Sequence, residues 1–168
     1  MGNGRLSVLY TIEHKRAKEA YECVTTVPAD NLKAYKSAAE RLPAMILTNG
    51  LLQAMAFYKA KDHLNDVYQS VEAWFRSLHQ QNPTWRFLED RLLTCSAADY
   101  RADTYEALAF AVWLKRFAKA RHNKIERLKE LKRLEDAKAE LGAAGGAGQS
   151  FPVGDQPGMV QNTENRHE

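Results

Sequence analysis

Lys115, Arg116, Lys119, Arg121 and Lys124 fall within ten residues that contain no acid, and they follow directly on the apolar run 107–114. Cations grouped at one end of a rigid, core-anchored helix neutralise phosphates. Such contacts position a nucleic acid without reading its sequence. The same cations also suit the negative end of a helix dipole, at about 0.3–1 kcal/mol each. The cluster alone therefore leaves both uses open. Lys15, Arg16 and Lys18 form a second group, and Arg41, Lys59 and Lys61 stand near the ends of central helical segments. Residues 1–121 carry 17 basic against 13 acidic residues, a net +4, which suits a surface that tracks a phosphate backbone.

Other chemistries find less support. A metal centre needs clustered ligands. His14, His63, His79, His122 and His167 include no i,i+4 pair, and Asp62-His63 has no partner motif. Asp99 and Asp103 share a helix face and raise the prospect of a metal-dependent nuclease, but no third ligand accompanies them. Acids at a helix start more often complement its dipole. The glycines of 142–148 are not set between a strand and a helix and lack the trailing Lys-Ser/Thr of a phosphate loop. No Ser/His/Asp or Cys/His arrangement can be argued. The sequence is read as non-enzymatic, with no metal and no cofactor. Tyr58, Trp74, Trp85 and Trp113 stand at core-periodic positions and are read as buried aromatics, not as platforms for bases.

The elements that must position these residues are helical. The 168 residues allow one domain of ordinary size, and a hydrophobic content of 45% supports a single core. Cys23 and Cys95 are too few for a disulfide framework and are read as buried free thiols in a reducing compartment. No signal-peptide pattern opens the chain. The longest apolar run has eight residues where a membrane span needs about 20. The expectation is a cytoplasmic, membrane-free protein.

Ala17, Ala20, Tyr21 and Val24 mark a first helix, stopped at Val27-Pro28 because the residue before proline is driven out of the α region. Asp30 or Asn31 is placed to cap a second helix running to about Leu42. Pro43 either kinks that helix or starts a new one. From there Ala44, Leu47, Leu51, Ala54, Met55 and Tyr58 form one stripe. Asn49-Gly50 has helical flanks, so Gly50 is either a helix–helix joint or a small residue that permits close packing. Leu64, Val67, Tyr68, Val71, Trp74 and Leu78 give the cleanest amphipathic pattern. Residues 80–84 read as a loop, and Trp85, Leu88, Leu92 and Cys95 as a short helix. Ser96 or Asp99 caps a long helix through about Arg121. No strand and no repeat is found.

The expected organisation is an all-α, compact single-domain bundle of about five to six helices over 1–121. A charged helical extension follows over 122–141, then a flexible Gly-rich tail over 142–168. Ile125, Leu128, Leu131 and Leu134 recur every third residue. That spacing drifts by roughly 60° per step on an α-helix, so the first and last lie on opposite faces. This argues for a solvated extension and against a coiled-coil seam.

Three blocks resemble the small helical subunit of type III-B CRISPR RAMP (Cmr) effector complexes, the Cmr subunit five family. They are Ile12 to Tyr21, Leu42-Pro43 through Asn49-Gly50 to Phe57, and Tyr100 to Ala118. The likeness covers roughly 12–121. It implies a non-catalytic bundle that stacks in several copies beside other Cmr proteins, along a groove holding the guide RNA–target RNA duplex. Placed on this resemblance and on the charge clusters, the expected RNA contacts are Arg16, Arg41, Arg101, Lys115, Arg116 and Lys119. Arg41 and Arg101 rest chiefly on their positions in the resembling blocks. The different reading left beside it is a helical adaptor that binds protein and no RNA, its charges forming a solvated face.

Overall fold

The computed structural model describes residues 3–79 and 88–145, with side chains described for 11–79 and 88–141. Six helices and no strand occur among the described residues: α1 (Asn3–Thr26), α2 (Leu32–Asn49), α3 (Leu51–Lys59), α4 (Asp62–Leu78), α5 (Leu88–Thr94) and α6 (Ala97–Gly145). The chain divides into two compact units, Met1–Glu130 and Leu131–Glu168. Trp85 and the expected 80–84 loop lie outside the described residues, as does the expected flexible tail beyond Gly145. Residues 142–145, expected to begin that tail, are helical.

Helix α1 ends ahead of Pro28, as the sequence requires. Its C-terminal end is closed from a distance: Arg121 Nη1 donates to the carbonyl of Val24 in the last turn and to that of Val27 just past the helix, the latter at 2.6 Å. Asn31 stands at the N-cap of α2, but its side chain makes no cap bond. The backbone turn closes that end instead, with Asn31 N–H on Pro28 O at 3.1 Å and Leu32 N–H on Ala29 O at 3.3 Å.

Pro43 does not break the chain, and α2 runs through it to Asn49. The break falls at Gly50, which takes φ +83° and ψ 159°. That region is essentially closed to residues with a Cβ. Gly50 N–H closes α2 on Ile46 O at 2.9 Å, and Gly50 O receives Ala54 N–H at 3.1 Å to open α3. The joint also resets the helix phase. The buried face of α2 is Tyr35, Ala38, Ala39, Leu42 and Ile46, while that of α3 is Leu51, Ala54, Met55 and Tyr58. The expected stripe through Ala44 and Leu47 is therefore corrected: both are turned away from the buried face, and Leu47 is 72% exposed.

Helix α4 buries Leu64, Val67, Tyr68, Val71, Trp74 and Phe75, and Leu78 reaches the surface. Trp74 stacks on Phe110 of α6 with centroids 5.4 Å apart. The buried phenols find partners, as buried hydroxyls must. Tyr35 shares a 2.8 Å bond with Ser70, and Tyr58 donates to Ala38 O at 2.8 Å. Tyr68 donates to Glu89 of α5 at 2.7 Å. Ala20, Ala38, Ala39, Ala54, Ala107, Ala111 and Ala118 are wholly buried and let the helix backbones approach closely.

Ser96 caps α6: its Oγ accepts Asp99 N–H at 3.1 Å and donates to Asp99 Oδ2 at 2.7 Å. The hydroxyl thus satisfies one free N–H of the first turn and holds the Asp99 carboxylate near the positive end of the helix dipole. Helix α6 continues unbroken past Arg121, and Ile125 still packs on the core. In the second unit Leu131, Leu134 and Leu141 are exposed. No described helix is long and apolar enough to cross a membrane.

Candidate nucleic-acid interface

Up to Lys124, helix α6 separates its charges by face. Its three acids before Glu126 are Asp99, Asp103 and Glu106. Asp99 is used in the Ser96 cap. Asp103 is buried and accepts two bonds from Arg91 of α5, Nε to Oδ2 at 2.7 Å and Nη2 to Oδ1 at 3.0 Å. Those bonds and that charge hold Arg91 above its usual range, against the effect of burial. Asp99 and Asp103 are thus held apart in separate structural roles. Among the described residues no group of three or more His, Cys, Asp or Glu gathers into a metal-binding set.

Glu106 is the hinge of a longer network. Its Oε1 accepts Trp74 Nε1–H at 2.9 Å and Arg16 Nε–H at 2.7 Å, and its Oε2 accepts Arg16 Nη2–H at 2.9 Å. Arg16 also pairs with Glu13. Glu13 in turn accepts Trp113 Nε1–H at 2.7 Å, and the guanidinium of Arg116 lies 5.3 Å from the Trp113 ring centre. Hydrogen bonds from Arg16 to Glu106 hold the guanidinium above its usual range even though burial acts the other way.

Of the expected RNA contacts, Arg16 therefore sits in the protein, only 9% exposed. Its charge is matched by Glu106 and Glu13. Arg41 is exposed on α2, with Nε donating to Ser37 O of its own helix at 3.2 Å. Arg101, Lys115, Arg116 and Lys119 are all exposed on α6. On a helix of about 3.6 residues per turn, Arg101, Tyr105, Leu108, Val112, Lys115 and Lys119 fall within an arc of about 80°, and Arg116 flanks it. No acid occurs in α6 between Glu106 and Glu126. The structure brings together Lys115, Arg116 and Lys119 with Arg101 further along the same face. Arg41 is on a different element.

Arg121, part of the sequence cluster, is turned toward the end of α1. Tyr105, which carried no functional reading in the sequence, is 74% exposed in the middle of the cationic face. Its helical phase relative to Arg101 and Lys115 was the signal available. The half-buried Cys23 and Cys95 are free thiols, and burial pushes Cys23 up to about 11.

Fold and surface together define a small helical-bundle protein whose long α6 turns a cationic face outward. Residues 12–121 match the family described as CRISPR-associated protein (Cas_Cmr5). The chain belongs to that family. It is also similar to a solved structure, the X-ray crystal structure of a CRISPR-associated Cmr5 family protein from Thermus thermophilus. The two share 27% identity with a TM-score of 0.52, over 64% of this chain and 95% of that one.

Proposed function

We propose that the chain is a non-catalytic small subunit of a type III-B CRISPR (Cmr) RNA-guided effector complex in the cytoplasm. It associates with other Cmr proteins, stacks in several copies and contacts the backbone of guide–target RNA. Family membership supports the complex. The observation that carries the RNA contact is the exposed α6 face bearing Arg101, Lys115, Arg116 and Lys119 with no acid from 107 to 125. One copy neutralises few phosphates, so stacked copies are what make the contact strong. Arg41 is a further contact from α2. Arg16, paired inside the protein, supports the fold that presents α6.

The test is charge reversal at Lys115→Glu with Arg116→Glu in the assembled complex, with RNA affinity measured across a salt series. The reading expects weaker binding and a flatter salt dependence with the bundle still folded. An unchanged salt dependence overturns it. A helical adaptor that binds only protein is the second reading, drawing on large apolar side chains left in solvent, such as Leu47 at 72% and Leu93 at 69% exposure. Capture of protein partners with no RNA at low salt, in monomer and assembly alike, would favour it.

A further inference from the structure

The middle of the cationic α6 face is apolar. Between Arg101 at one end and Lys115 and Lys119 at the other, the same arc carries Tyr105, Leu108 and Val112. Tyr105 is 74% exposed and Val112 39%. Neither the ring nor the hydroxyl of Tyr105 makes a ring contact, cation contact or hydrogen bond among the described residues. The other large aromatics of α6 are used in the fold. Phe110 stacks on Trp74, and Phe117 stacks on Trp113 with centroids 5.4 Å apart. Trp113 is further held by Glu13.

A duplex seen from its backbone offers phosphates and sugars, and an aromatic ring set among the cations gains little there. An unstacked base offers a π-face, and proteins hold such bases by stacking them on exposed aromatic rings while nearby cations take the phosphates. Along α6, Arg101 lies about 6 Å before Tyr105 and Lys115 about 15 Å after it. A strand crossing the ring therefore meets positive charge on both sides. Flanking Leu108 and Val112 dry the surroundings of the ring.

We propose that Tyr105 is a stacking platform for an unpaired RNA base. Arg101 on one side and Lys115, Arg116 and Lys119 on the other hold the adjoining phosphates, so this face holds an unpaired nucleotide beside the guide–target pairing, and the isolated chain takes a single strand in preference to a regular duplex. The inference rests on the reading of α6 as an RNA-facing surface and names which RNA it receives.

The test measures binding of the full chain at low salt to a single-stranded oligouridylate and to an RNA duplex of equal length, by fluorescence anisotropy. The native chain is expected to favour the single strand. Tyr105→Ala is expected to weaken single-strand binding roughly ten-fold or more, with duplex binding and the circular dichroism melt unchanged. Tyr105→Phe is expected to retain binding. Equal loss on both probes, or no loss on either, overturns the platform. A native chain that binds duplex and not single strand overturns the platform while leaving the α6 reading in place, and binding of neither probe, by the chain alone and by the assembled complex alike, overturns both. In the assembled complex, a photo-crosslinker at position 105 is expected to join RNA at an unpaired nucleotide. Crosslinks to protein alone overturn the proposal and make the face a protein contact.

Discussion

Arg16 of α1 and Glu106 of α6 meet across 90 positions of sequence in a two-point ion pair, at 2.7 and 2.9 Å. The same carboxylate also receives the indole N–H of Trp74 from α4. One side chain therefore ties three helices together, and does so at the edge of the core. The pair fixes α6 in rotation about its axis, and that rotation decides which residues of α6 face solvent.

Removing Arg16 leaves Glu106 partly buried with only the indole to meet its charge. Breaking a buried pair costs about 3–5 kcal/mol. Glu106 keeps 22% of its side chain in solvent, which softens the loss. Arg16→Ala is expected to destabilise the bundle by about 2–3 kcal/mol in urea denaturation, and Arg16→Met combined with Glu106→Gln to recover part of it. The salt dependence of RNA binding, extrapolated to fully folded protein, should not change with Arg16→Ala.

Gly50 carries the joint between α2 and α3. Its φ of +83° excludes a Cβ at little strain, and a Cβ there would stand 3.3 Å from the Tyr100 hydroxyl. That hydroxyl accepts Leu52 N–H at 3.2 Å, so α6 caps α3 at the same point. Gly50→Ala is expected to cost about 1–3 kcal/mol. Tyr100→Phe should cost about 0.5–1.5 kcal/mol through the lost cap. Because the two sites touch, thermal melts of the double variant should depart from additivity.

The helices themselves were legible because their apolar periodicity and stop signals are local. Pro28, Ser96 and the Leu64–Trp74 stripe act where the sequence places them. The α2–α3 region was misread in phase for an equally definite reason. One helical wheel was carried through Asn49-Gly50, so Ala44 and Leu47 were aligned with Leu51 and Tyr58 when the positive φ of Gly50 had already rotated the frame. At the site, charge density was legible and pairing was not. Nothing local to Arg16 shows that Glu106 will reach it, and nothing local to Arg121 shows that α1 ends beside it. Tyr105 was missed because exposure of one aromatic among many depends on which way α6 is turned.

Burial pushes the Cys23 thiol from its ordinary 9.0 up to about 11, with the charge of Glu19 adding to it. Below about pH 9 the thiol is protonated folded and unfolded alike, and its favourable burial is fully present. Between about 9 and 11 the unfolded chain releases the proton while the folded chain keeps it, so stability falls as pH rises through that window. Stability measured by urea denaturation across this window should fall less steeply in Cys23→Ala than in the native chain. At neutral pH, Cys23 should react slowly with a thiol reagent in the folded protein.

Lys119 and Arg121 stand two residues apart in the same basic cluster and are expected to behave oppositely. Lys119 is exposed on the cationic arc of α6. The Arg121 guanidinium is bound to the carbonyl of Val24 in the last turn of α1 and to that of Val27 just past it, where positive charge also meets the negative end of the helix dipole. Lys119→Gln should leave the melting temperature unchanged and flatten the slope of log K against log salt by about 0.7–0.9, the share of one phosphate contact. Arg121→Gln should lower stability by about 1–2 kcal/mol, as two charge-assisted bonds and a cap are lost, and leave the slope where it was. Measuring both quantities on both variants separates a cation used on RNA from one used on the fold. If Arg121→Gln flattened the slope as Lys119→Gln does, the cationic surface would have to extend around α6 toward α1.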